Sequence, residues 1–328
     1  MPQGVQRCAT VVANGVLGDW RLNDATFRHE LNFRLEDKAP YVDCLAALHP
    51  FPRDARIVFK ETPHIYSVDG IRAPWSVSDL VHSLAHGFDP TSAVRTMTAS
   101  RTWHERHPEL TSPDGGPMTE SDIIDAWRVN GETQSKRGTL MHWHIEIYLN
   151  GYDVAEPHSP EFLQFLLFKR CFMDPLGLVP LRTELSMFHC GLCIAGQADL
   201  LCLDANGDAV IVDWKRSANI KTEGFRGQML HPPLEHMDDC NWSTYRLQIN
   251  MYAYILESEY GLQVAAMYIA VFHPNQCGVP YVYVVPRMAE EIQTLVNHAA
   301  RVHGTRLESV PGDKASFDVS GFRSTPNN

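Results

Sequence analysis

Asp213 and Lys215, with Trp214 between them, close an apolar run over 209–215 that reads as a β-strand. Side chains alternate faces along a strand, so the carboxylate and the ammonium share one face. Trp214 joins Val210 and Val212 on the other. An acid and a base two residues apart at a strand end can flank one phosphate. They can equally form a surface ion pair at a strand terminus. Asp199, in Gly196-Gln197-Ala198-Asp199, lies one hairpin arm away across Asp204-Ala205-Asn206-Gly207-Asp208, a hairpin-turn signal. Counted from that turn, the two aspartates stand at comparable distances, so their carboxylates can converge. Crowded carboxylates repel and desolvate each other. A hard divalent cation, Mg2+ or Mn2+, relieves that repulsion because it takes oxygen ligands and keeps positions open for water. The competing reading is two solvated acids on a sheet edge.

Three more groups bear on this site. Glu184 lies on the preceding strand, as a third acid or as an exposed strand residue. His142 and Glu146 are four apart on a helical stretch and share a face, whereas His144 lies well round the helix. A zinc site of the H-x-H kind therefore fails on spacing. Gln248 and Tyr252 are also four apart, and an amide and a hydroxyl on one helical face can hold polar ligand edges. Basic residues follow the Asp-x-Lys strand: Arg216, Lys221 and Arg226, with Lys136 and Arg137 ahead of His142. They could line a groove that tracks phosphates, or be ordinary solvated charges.

The elements that must position these residues follow from pattern and punctuation. Residues 57–69 alternate and break at Gly70, which reads as a short hairpin. Ser76 caps a helix whose Val77, Leu80, Val81 and Leu84 share a face. Thr119 opens a helix that Asn130-Gly131 is expected to interrupt, and a second helix runs from about 132 to 149. A helix over 160–172 is followed by strands over 181–188, 194–203 and 209–215. A loop covers 217–242, and Ser243 is expected to cap a helix ending near Gly261. Strands over 264–272 and 280–285 precede a final helix that Pro286 is expected to start. This order predicts an α/β fold with a mixed sheet and helices on both sides.

The chain has 328 residues and a formal net charge of −11, which excludes clinging to nucleic acid by bulk charge but not a local basic groove. No apolar run spans a bilayer, and the N-terminal residues lack a secretory pattern, so no membrane partner and an intracellular site are expected. The compartment, nuclear or mitochondrial in a eukaryote, is open. Eight scattered cysteines do not suggest a disulfide framework. No phosphate-binding G-x-x-x-x-G-K-[ST] loop occurs, so ATP is not expected as a partner.

Taken in order, His142 in GTLMH, Glu184, Asp199 in GQAD, Asp213 and Lys215 in DWK, and Gln248 and Tyr252 in QINMY resemble the RecB-like branch of the PD-(D/E)XK nuclease superfamily. The likeness covers about residues 119–285. A looser one reaches upstream to HIYSVDG and SVSDLV, similar to nucleases of large DNA viruses and unicellular eukaryotes. The resemblance implies a restriction-endonuclease-like αβββαβ core over 119–311, an accessory region over 1–118 and a flexible tail over 312–328. It implies a Mg2+- or Mn2+-dependent deoxyribonuclease, an exonuclease on single-stranded or duplex DNA ends. His142, Asp199, Asp213 and the Trp214 carbonyl would hold the metal, with Asp199, Asp213, Lys215 and Glu184 catalytic. Gln248, Tyr252, Arg216 and Lys221 would contact DNA. The iron–sulfur cluster of some relatives is not supported, since only Cys277 follows the Gln-x-x-x-Tyr helix. A non-cleaving nucleic-acid-binding module on the same fold is the alternative.

Overall fold

The computed structural model describes residues 5–7, 41–156 and 158–302, so the tail expected over 312–328 lies outside the described residues. Its strands are β1 (Val5–Arg7), β2 (Ile57–Lys60), β3 (Ile65–Val68), β4 (Ile71–Arg72), β5 (Trp75–Ser76), β6 (Val179–His189), β7 (Ile194–Leu203), β8 (Ala209–Lys215), β9 (Val264–Val271) and β10 (Tyr281–Val284). Seven of them make one mixed sheet in the order β1-β10-β9-β8-β7-β5, with β6 also paired to β7. The remaining strands, β2, β3 and β4, make a small antiparallel sheet.

The sheet centre is where the site arises. β6 runs antiparallel along one edge of β7 for its whole length. The other edge is shared: β8 pairs with Leu200–Leu203, and β5 pairs in parallel with Ile194 and Ala195. β8 therefore leaves β7 after the Leu200–Val212 pair, while it stays in parallel register with β9 as far as Lys215–Val271. The parting of β7 and β8 frees the strand end that carries Asp213 and Lys215 from pairing with β7.

Alternation along β8 sorts its side chains between two apolar layers. Ile211 packs with Val77, Leu80, Leu247, Met251 and Leu295, so helices Val77–His82, Asn241–Glu259 and Ala289–Val302 cover that face. Val210, Val212 and Trp214 pack with Met141, Phe162, Phe165 and Phe272 on the other, under helix Pro160–Phe168 and the later turns of helix Glu120–Leu149. Trp214 thus lies where alternation puts it, its ring edge-on to Phe165. The architecture is mixed α/β, with a mixed sheet flanked by helices.

By contact the chain divides into two compact units at 85/86 and 140/141, the second holding 86–140. Within that second unit Val94, Leu110 and Ile123 form a small core, flanked by Met97, Trp103 and Trp127. Among the described residues, no helix is long and apolar enough to cross a membrane.

Three expectations about helices need correction. Asn130-Gly131 interrupts nothing, because Glu120–Leu149 is one helix of 30 residues. A glycine in a helix interior costs about 1 kcal/mol, which the surrounding turns outweigh. The helix expected to start after Ser243 begins at Asn241, whose side-chain oxygen accepts from the Lys221 N–H and anchors the loop there. The last helix starts at Ala289, beyond Pro286. Asn250 holds that connection open: its amide donates to the Pro286 carbonyl and its oxygen accepts from the Met288 N–H. The Ser76 cap stands as expected, its hydroxyl accepting from Asp79 N–H while the Asp79 carboxylate accepts from Ser76 N–H.

Candidate metal centre

Three residues far apart in sequence bring ligand atoms together. The Nδ1 of His142 lies 3.5 Å from Glu184 Oε1 and 3.5 Å from Asp199 Oδ1. One ligand atom from each of the three falls within 4.8 Å of the others, a spacing that can hold a metal ion. Each comes from a different element: His142 from the long helix, Glu184 from β6, Asp199 from β7.

Local backbone explains the convergence of the two acids. Thr183 pairs with Leu200 and Leu185 with Ala198, which sets Glu184 opposite Asp199. Glu184 holds φ at 45°, in the left-handed region. A non-glycine residue there costs roughly 1–3 kcal/mol and persists only where its surroundings impose it. The Glu184 carbonyl, turned out of the ladder, accepts instead from the side-chain amide of Gln197. On β7 the same point marks a change of side. Ala198 and Leu200 would share a face in a regular strand, yet they pack into different apolar layers.

Asp199 is 8% exposed and divided between two duties. Its Oδ2 accepts from the Trp214 N–H at 2.7 Å, closing the gap where β8 leaves β7. Its Oδ1 faces His142. Burial alone would raise this carboxyl, but His142, Lys215 and the Trp214 N–H together hold it below its ordinary value. For His142, burial would lower the imidazole; Asp199 and Glu184 overcome that and lift it to about 10. In the metal-free protein the imidazolium therefore supplies the positive charge that two facing carboxylates require. A divalent cation relieves the same repulsion, so the donor set of two carboxylates and one imidazole fits such an ion.

Asp213 was expected as a direct metal ligand alongside Asp199. The structure places its carboxylate, 2% exposed, against Lys215, with Oδ2 2.7 Å from Nζ. The cluster that meets around His142 contains Glu184 and not Asp213. Burial pushes the Asp213 carboxyl up to about 6, with Asp199 adding to the rise and Lys215 opposing it. Lys215 continues the network. Its ammonium donates to Gln248 Oε1 at 3.1 Å and lies 5.0 Å from the centre of the Tyr245 ring. The Gln248 amide in turn donates to the Tyr252 hydroxyl at 2.7 Å and to Ser78 Oγ at 3.2 Å. Gln248 and Tyr252 thus share a helical face, as their spacing requires, and meet Lys215.

The basic residues separate. Arg216, expected to contact DNA, donates from Nε to Glu161 Oε1 at 2.7 Å, and both side chains are about as buried as core residues, 5% and 3% exposed. A guanidinium desolvated against a carboxylate has its Nε committed to that carboxylate. Lys221 is exposed, beside the start of the Asn241–Glu259 helix.

Some partners were not legible beforehand. Tyr41 donates its hydroxyl to Glu146, and its phenol is raised by burial and by Glu146, with a contribution from Glu184. Tyr66 is raised by burial and then by Glu184, Asp199 and Asp79. Ser78 reaches Gln248 across 170 residues of chain. The one hint was the presence of polar residues in HIYSVDG and SVSDLV, both next to good turn and cap signals.

Gly196 explains the glycine in GQAD. A Cβ there would stand 2.7 Å from Tyr252 Cε1 and 3.0 Å from Val77 Cγ2, both on buried side chains. Gly196→Ala is expected to destabilise the protein by about 1–3 kcal/mol, the usual range for overpacking. It should also pull Tyr252 off Gln248. Urea denaturation checks the first effect; a midpoint equal to wild type would contradict this packing.

The chain matches no protein-family model and no curated protein. Sixteen chains of solved structures match it. One is SSO0001, 13% identical, with a TM-score of 0.28 over 70% of this chain and 85% of that one. Another is an Eubacterium rectale protein named as a candidate exonuclease, 10% identical, with a TM-score of 0.26 over 66% of this chain and 65% of that one. Likenesses this loose carry no functional argument, which rests on the geometry above.

Proposed function

We propose that the protein is a metal-dependent nuclease that hydrolyses phosphodiester bonds in DNA and works as an exonuclease at strand ends. The observation that carries this reading is the meeting of His142, Glu184 and Asp199 beside the buried Asp213–Lys215 pair. It supports the resemblance to RecB-like PD-(D/E)XK nucleases, with Glu184 drawn into the ligand set. Two carboxylates and one imidazole suit Mg2+ or Mn2+. His142, Glu184 and Asp199, with the Trp214 carbonyl as a further ligand, would hold such a cation, which would supply charge neutralisation at a phosphate and a more acidic water.

The chain's own groups do the rest. Lys215 presents a fixed positive charge toward negative charge that develops on phosphate oxygens. Asp213 keeps that ammonium charged and in place. Gln248 restrains Lys215 from the other side and is itself held by Tyr252 and Ser78. The helix face of Gln248 and Tyr252, with exposed Lys221 near its start, positions the strand.

The test is cleavage of end-labelled single-stranded and duplex DNA with Mg2+, with Mn2+ and with chelator. Loss of single nucleotides from an end, abolished by chelator and restored by added metal, is the expected result. Binding without cleavage under every condition would favour the non-cleaving module instead.

Proton competition gives a second measurement. The raised His142 keeps its proton up to about pH 10, so a metal ion must displace that proton to use Nδ1. Lower pH favours the proton and higher pH the metal. Apparent Mn2+ affinity should rise up to about tenfold per pH unit between roughly pH 7 and 9. Calorimetry in buffers of different ionisation enthalpy should report about one proton released. Affinity independent of pH would remove His142 from the ligand set.

A further inference from the structure

The hairpin of β2 and β3 carries a run of aromatic rings that the cleavage chemistry does not use. Its inner face begins with Ile57 and Val68, cross-strand partners packed against Phe188 and Ala195. Two residues further along each strand, Phe59 and Tyr66 are also cross-strand partners, with ring centroids 4.6 Å apart and planes at 26°. Beyond them His64 stands edge-on to Phe59 at 4.9 Å and to Tyr66 at 5.8 Å. Exposure grows along this series: Tyr66 is buried, Phe59 half-buried and His64 exposed. His64 also holds a left-handed backbone, φ 63°, at the tip. The inner end packs on the strands that carry the metal centre, since Tyr66 lies in one apolar cluster with Phe188 of β6 and Ala195 of β7.

We infer that this aromatic face, Phe59 and His64 outward from Tyr66, is a stacking wall for an unpaired nucleobase whose phosphate lies at the cluster of His142, Glu184 and Asp199. The inference rests on the nuclease reading and deepens it, because it sets the strand state of the substrate. Rings stack on any base through its π-face and so tolerate sequence. A base inside a duplex has both faces covered by its neighbours, whereas a single strand or a frayed end offers one. A ladder that served only to hold the hairpin together would be indifferent to the state of the strand.

The experiment measures binding by fluorescence anisotropy in chelator, where cleavage is suppressed. It uses labelled single-stranded DNA, the blunt duplex of the same sequence, and single strands with one abasic position moved along the chain. His64→Gly removes the ring and suits the left-handed backbone. Phe59→Leu keeps an apolar side chain and removes the aromatic face; should it fold poorly, His64→Gly carries the test alone. Each is expected to weaken single-strand binding by about tenfold, the scale of one lost base–aromatic stack, and to leave duplex binding unchanged. In wild type, one abasic position should cost a similar factor, and that cost should vanish in His64→Gly. Equal losses for single strand and duplex, no loss at all, or an abasic penalty that persists in the variant would each overturn the stacking wall. These outcomes are separate from cleavage. A wild type that shows the stacking signature but never cuts would sink the nuclease reading and leave the wall standing.

Discussion

Asp199→Asn is expected to lower metal-dependent cleavage by at least about a thousandfold, roughly 4 kcal/mol of transition-state stabilisation. The substitution is close to isosteric. The amide oxygen of asparagine can still accept from the Trp214 N–H, the bond that closes the β7–β8 gap. What disappears is the negative charge that faces His142. Without it a cation has one carboxylate fewer, and the His142 proton is held by Glu184 alone. Two independent readouts should therefore move together. Mn2+ affinity by calorimetry should fall sharply. The His142 imidazole, followed by NMR titration, should drop from about 10 toward its ordinary range. The fold should survive, because the amide keeps the bond to the Trp214 N–H and Glu184 still faces His142. A variant that folds, binds Mn2+ as wild type does and still cleaves would remove Asp199 from the chemistry.

The parts of this arrangement that the sequence exposes are those set by short-range pattern. Strands β7 and β8 announce themselves through apolar runs on either side of an Asp-Ala-Asn-Gly-Asp turn, and alternation puts Trp214 in the core and Asp213 with Lys215 opposite. Gln248 and Tyr252 meet because four residues make about one helical turn. Other parts depend on information that pattern does not carry. Glu184 meets His142 and Asp199 at a point where β6 takes a left-handed residue, and glutamate gives no warning of it. Arg216 resembles its basic neighbours until Glu161, 55 residues earlier, is found buried against it. Alternation gives the face of Asp213 but not its partner; Lys215, on the same face, takes its carboxylate. Tyr41 and Ser78 stand 105 and 170 residues from the helical Glu146 and Gln248 they meet, and Tyr66 is likewise remote from Glu184, where no spacing rule reaches. The helix over 120–149 fails the local reading for the opposite reason: local punctuation at Asn130-Gly131 is real but is outweighed by the turns around it.

Lys215→Met should separate chemistry from structure at the same site. Removing a positive charge aimed at the scissile phosphate typically costs about a hundred- to a thousandfold in rate. It also leaves Asp213 buried without its ion-pair partner, and breaking a buried pair from one side costs roughly 3–5 kcal/mol of stability. The pH dependence identifies that cost. Asp213 is already raised to about 6 by burial, and loss of Lys215 raises it further. A carboxyl whose folded value lies above its unfolded value contributes stability that is present at acid pH and lost as pH rises through the folded value. The variant should therefore approach wild-type stability near pH 4 and fall behind it increasingly above pH 6, read as denaturation midpoints across that range. Asp213→Asn combined with Lys215→Met removes both charges and should recover most of the stability at neutral pH, because no unpaired carboxylate remains. It should recover none of the cleavage. A double variant that regained both would mean that Lys215 serves only to neutralise Asp213, and the positive charge would then have no part in the reaction.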